Sequence, residues 1–212
     1  MTALAPISTK DRILDAAELL FANDGFEATS LRAITAEAGV NLASVNYHFQ
    51  SKDALLHAVV ARRAGPINQR RIEALQQLEE KLRNEPIPID ELLEAFFRPV
   101  TECNVLVPRM MVRFHYLEAR ETFRAIYETH FKPVANRFAP ALRKALPHLK
   151  PEEAFLRMQF TMGAFAQLAA GSGTMEVVSE GRMHAPTREE ALRQLIQFTA
   201  AGFRAPSLGA GL

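Results

Sequence analysis

The residues best placed to do chemistry lie between Ser30 and Phe49. Ala43, Ser44, Asn46, Tyr47 and His48 fall on the outer side of a short helix whose inner side carries Leu42, Val45 and Phe49. Small residues let a helix approach base edges in a major groove, and Ser and Asn hydrogen-bond those edges. Arg32 and Asn41 sit beside this face in sequence and join it as candidate DNA contacts. Tyr47 and Lys52 can hold phosphates, as can Thr29 and Ser30 at a helix N-terminus. The alternative for the same residues is a helical hairpin that shows water an ordinary polar face. Other chemistry is thinly supported. His115 and Glu118 are three apart and share a helix face, which gives an incomplete metal site or a solvated surface. Ser172 lies in a Gly171-Ser172-Gly173 loop without a nucleophile motif. Neither an HExxH motif nor a phosphate-binding Gly-Lys-Ser/Thr loop occurs. Catalysis, a bound metal and a cofactor are therefore not expected.

The elements that must position this face read as helices. Ser8 and Asp11 have capping-box spacing, and Ile13, Leu14, Ala17, Leu20 and Phe21 form the stripe of a first helix ending near Asp24-Gly25. A second helix starts at Thr29 or Ser30, buries Leu31, Ile34 and Ala38, and stops at Gly39. Asn41 caps the third. Ser51 caps a fourth, with Leu55, Leu56, Val59 and Val60 inward. Gly65-Pro66 predicts a break or kink there. The domain division expected from it is 1–63 and 64–212. Further helices are expected at about 67–83, 89–103, 108–118, 121–146, 151–171 and 187–204, with Pro133 and Pro140 bending the fourth of these. No stretch alternates as a strand does, so the fold class is all-α.

Composition sets outer limits. The chain has 212 residues, 48% hydrophobic and 23% charged, enough apolar material for a sizeable core. Its net charge is only +1. Residues 1–63 hold six Lys/Arg (Lys10, Arg12, Arg32, Lys52, Arg62, Arg63) against seven acids (Asp11, Asp15, Glu18, Asp24, Glu27, Glu37, Asp53). DNA binding here would rest on a few well-placed donors rather than on bulk charge. The lone Cys103 cannot form an intrachain disulfide. No apolar run approaches the roughly 20 residues that cross a bilayer. Residues 1–10 lack the pattern of a signal peptide, so a cytoplasmic protein without membrane contact is expected.

Residues 8–60 resemble the N-terminal domain of TetR-family transcriptional regulators. The residues that carry the resemblance are Arg12-Ile13-Leu14-Asp15-Ala16-Ala17, Phe21, Gly25-Phe26, Thr29-Ser30-Leu31-Arg32-Ala33-Ile34, Ala38-Gly39-Val40, Val45-Asn46-Tyr47-His48-Phe49, Ser51-Lys52 and Leu55-Leu56. The resemblance implies that the third helix enters the major groove, while Tyr47, Lys52 and the start of the second helix meet the DNA backbone. The run Val40 to Phe49, followed by Gly65-Pro66, is similar to the subgroup that responds to fatty acids or their CoA esters.

The second part of the chain supplies two further expectations. Phe155, Met158, Met162, Phe165, Ala166 and Ala169, with Leu192, Leu195, Ile196 and Thr199, recur at helical spacing on two helices. The resemblance makes those helices a four-helix dimer interface; ordinary intrachain core is the alternative. Phe97, Met110, Phe114, Phe131 and Met162, with Arg109 and Arg113 four apart, are candidates for an apolar effector pocket with an anion-binding corner, or for core. The combined expectation is a homodimeric, ligand-responsive repressor of a palindromic double-stranded DNA operator, released by a small apolar effector. The alternative is a helical small-molecule or protein-binding module without sequence-specific DNA binding.

Overall fold

The computed structural model describes residues 7–83, 85–102, 120–170 and 174–208, and every regular element among them is helical. The helices are α1 (Thr9–Asn23), α2 (Leu31–Ala38), α3 (Leu42–Phe49), α4 (Lys52–Leu82), α5 (Ile89–Thr101), α6 (Arg120–Ile126), α7 (Lys132–Ala145), α8 (Pro151–Ala170), α9 (Thr174–Val178) and α10 (Arg188–Arg204). One π-helical turn (Tyr127–Phe131) joins α6 to α7. By contacts the chain divides into two units. Over the described residues, one holds 7–66 and 120–130 and the other 67–102 and 131–208.

Local chemistry sets the helix ends of the first unit. Ser8 Oγ accepts from the Asp11 N–H at 3.1 Å, and its hydroxyl donates to the Asp11 carboxylate at 2.5 Å. Ser30 caps α2 through the Ala33 N–H at 3.1 Å. Gly39 closes α2 at φ +62°, ψ +42°, a left-handed conformation that favours glycine. Ile13, Phe21, Ile34, Val45, Phe49, Leu55 and Val59 form the buried core. Leu42 departs from expectation: it is 42% exposed at the start of α3 and faces away from that core.

Pro66 does not break α4, which is helical throughout from Lys52 to Leu82. Proline removes one N–H and crowds the carbonyl four residues back. Burial of Val60, Ala64 and Ile67 on either side holds the helix against that cost. Pro133 stands in the first turn of α7, where it cannot donate to the Thr129 carbonyl, and the π-turn ends two residues before it; Pro140 lies inside the continuous α7. The helix expected at 108–118 lies outside the described residues.

In the second unit, Leu75 of α4 meets Ile87, Leu92 and Ala95, and Val134, Phe138 and Ala141 of α7. Arg71 donates to the Phe96 carbonyl at 2.7 Å and lies over the Phe96 ring at 3.9 Å. Thr187 and Glu190 form a complete capping box for α10, which packs on α5 and α8.

Candidate nucleic-acid interface

The turn between α2 and α3 is held from outside by Arg12 of α1. Its Nε and Nη2 donate to the Ala38 carbonyl at 3.0 and 2.6 Å, and Nη2 donates to the Gly39 carbonyl at 2.6 Å. Carbonyls at a helix end lack intrahelical donors, and the guanidinium supplies them. The next residue but one, Asn41, caps α3: its Oδ1 accepts from the Ser44 N–H at 2.9 Å and the Ser44 hydroxyl at 3.0 Å. The start and direction of α3 are thus fixed on both sides of the turn.

The outer face of α3 is open. Ala43 and Asn46 are exposed, Tyr47 is 84% exposed, and Ser44 and His48 are half-buried. The His48 ring stands edge-on to Tyr47, centroids 5.0 Å apart. Leu42 adds an apolar group to this face, of the kind that can meet a thymine methyl. Ser30 and Arg32 are exposed near the start of α2. Lys52 lies over the Phe26 ring at 4.3 Å, with Nζ 3.4 Å from the Glu27 carbonyl.

Thr29 does not fit a phosphate-contact role. It is buried, and its hydroxyl donates to the Gly25 carbonyl at 2.6 Å. A β-branched hydroxyl within reach of a preceding carbonyl satisfies itself locally, and here it ties the approach to α2. Three of the six cations are committed inside the chain. Arg12 holds the turn. Arg62 and Arg63 grip the buried Glu18 carboxylate, Arg62 Nη2 at 2.7 Å and Arg63 Nε at 2.8 Å from Oε2, and Arg62 also reaches Asp15 at 2.8 Å. Lys10, Arg32 and Lys52 are the remaining cations of the segment.

The effector and dimer candidates divide differently. Phe97 is fully buried beside Phe96 and Phe165, ring centroids 5.1 and 4.9 Å away, so it is core. Phe131 and Met162 are half-buried. Arg109, Met110, Arg113 and Phe114 lie outside the described residues, as do His115 and Glu118. Phe165, Leu192, Leu195, Ile196 and Thr199 are buried within their own chain. They form the face of α8 and α10 that packs inward. Met158, Met162 and Ala166 are half-buried, the side chain of Ala169 is not described, and Phe155 is exposed. The apolar side chains that do face outward here include Leu156, Phe160 (66% exposed) and Phe198 (74% exposed). Periodicity alone could not separate them, because α8 carries two apolar stripes.

Two family models match the chain. One, described as "Bacterial regulatory proteins, tetR family", matches residues 13–59; the other, "Tetracyclin repressor-like, C-terminal domain", matches residues 94–202. Among curated proteins, the chain is 45% identical over 58 residues to the nicotine-responsive transcriptional repressor HdnoR of Paenarthrobacter nicotinovorans, 26% of this chain and 30% of that protein. It is 36% identical over 52 residues to the transcriptional regulator UidR of Escherichia coli K12, 24% of this chain and 26% of that one. These alignments span only about a quarter to a third of the relatives' length. Among solved structures, a transcriptional regulator from Aquifex aeolicus VF5 superposes at TM-score 0.53 with 25% identity, covering 93% of this chain and 98% of that one. The SmeT–triclosan complex superposes at TM-score 0.58 with 22% identity, covering 93% and 95%.

Proposed function

The chain belongs to the TetR family of helix-turn-helix transcriptional regulators, and from that premise we propose that it represses transcription as a homodimer, with α3 reading each half of a two-fold-related operator. The observation that carries this reading is the α3 face. Ala43, Asn46 and Tyr47 project into solvent on a helix whose start is capped by Asn41 and whose supporting turn is clamped by Arg12. A reading helix needs this combination of an open, hydrogen-bonding surface and a fixed direction.

The dimer contact assigned by this reading is the outward apolar face of α8 and α10, with Phe160 and Phe198 as anchors. The family uses these two helices to pair, and each phenylalanine left in water forfeits a large apolar burial. The proposed effector is apolar with an anionic head group, a fatty acid or its CoA ester. The spacing of Arg109 and Arg113 and the Phe and Met content of the sequence between residues 93 and 165 support it. HdnoR responds to nicotine and SmeT binds triclosan, and a proposed fatty acid metabolism regulator of Clostridium perfringens shares the fold at TM-score 0.61 and 17% identity. Effector would shift the population toward a dimer whose reading helices no longer match successive major grooves.

A gel shift with genomic fragments over a salt series tests the proposal. The wild-type chain should select a few fragments, and Lys52→Ala should weaken all of them alike and lower the slope of log K against log salt by about one. Equal retention of every fragment would favour a helical binding module over an operator-specific regulator.

A further inference from the structure

Away from α3, two imidazoles meet end to end. His57 of α4 places Nδ1 3.1 Å from Nε2 of His130 in the π-turn, with ring centroids 5.2 Å apart and planes tilted by 42°. The two residues are 73 positions apart in sequence. Both are half-buried.

We propose that His57 Nδ1 and His130 Nε2 form a two-histidine chelate for a divalent transition metal such as zinc or copper. Metal–imidazole bonds of about 2.0–2.1 Å, meeting at angles between square and tetrahedral, put two ligand nitrogens about 2.9–3.4 Å apart. The observed separation falls in that range. In the metal-free chain the same gap holds one proton, donated by one ring to the lone pair of the other. A modest rotation of each ring turns both lone pairs toward a common point beside it.

Among the described residues no third His, Cys, Asp or Glu joins the pair. A two-histidine site with water in its other positions is open and exchangeable, not a closed structural one. Bound metal would tie α4 to the π-turn, stabilising the first unit by linkage.

The test uses the full chain without a purification tag, freed of metal by a chelator and titrated with zinc chloride while its melting temperature and zinc content are followed. One zinc per chain and a rise in melting temperature are expected. His57→Ala and His130→Ala should each weaken binding by more than about tenfold, since even outer-sphere partners of a metal contribute about 10–100-fold. His130→Gln retains a donor for His57 without the imidazole. It should melt like the metal-free wild type and lose the zinc-dependent rise. With copper in place of zinc, the spectrum of the wild type should show two nitrogen ligands. Zinc binding that survives in His57→Ala and His130→Ala together would assign the metal to other histidines and overturn the proposal. So would a wild-type chain that takes up no zinc.

Discussion

Replacing Gly39 by alanine probes the geometry that aims α3. Gly39 sits at φ +62°, where a Cβ costs about 1–2 kcal/mol on backbone grounds alone. The added Cβ would stand 3.0 Å from Arg12 Nη2. That atom donates at 2.6 Å to both the Ala38 and Gly39 carbonyls, so it cannot retreat without lengthening both bonds. Arg12 is exposed and water replaces part of the loss, so about 0.5–1 kcal/mol follows from the weakened clamp. Together these give about 1.5–3 kcal/mol, or roughly 10- to 150-fold in a local opening equilibrium. Amide hydrogen exchange over α2 and α3 reads that equilibrium directly. Protection there should fall by this factor while the second unit is unchanged. In an Arg12→Ala background the same substitution should cost only the backbone part, leaving a coupling of about 0.5–1 kcal/mol. Protection changed by less than about twofold, or a cost indifferent to Arg12, would refute the reasoning.

Three other outcomes follow from the packing. Glu18→Gln removes the carboxylate gripped by Arg62 and Arg63 and should lower the stability of the first unit by about 2–3 kcal/mol in a thermal melt, below the full cost of breaking a buried pair because both arginines reach water. Phe160→Glu or Phe198→Glu should give a folded monomer by light scattering, whereas Leu195→Glu, inside the protomer, should unfold the second unit. The Arg137 hydrogen bond holds the Glu79 carboxyl below its ordinary 4.5. Its folded pKa is depressed, so its stabilisation is full above that value and fades as pH falls through the lower folded one. Arg137→Ala should therefore flatten the acid limb of stability against pH, by under about 1 kcal/mol because the pair is partly exposed.

What could be read in the sequence was local. Ser8, Ser30 and Asn41 announce helix starts because a cap acts over three residues, and Gly39 announces an end because few residues tolerate its conformation. The face of α3 was legible for the same reason. What was not legible depends on partners far along the chain or on which of two faces turns inward. The Arg12 clamp spans 26 positions, the Glu18–Arg62 contact 44 and the His57–His130 contact 73. Thr29 reads as a phosphate ligand, but its hydroxyl donates to the Gly25 carbonyl. Gly65-Pro66 reads as a break or kink, but flanking burial carries the helix through it. On α10 the stripe of Leu192, Leu195, Ile196 and Thr199 lies in the protomer core, whereas on α8 Phe165 is buried and Phe155 and Phe160 remain outside.

The most direct test of the central claim is to sequence the DNA fragments retained by the wild-type chain and by Asn46→Ala. The account predicts one enriched motif with two half-sites related by a two-fold axis, about one helical turn or a small multiple of it apart. It also predicts that Asn46→Ala enriches a motif altered at the same position in both halves. No enrichment by the wild-type chain, or an identical motif from both proteins, would contradict it.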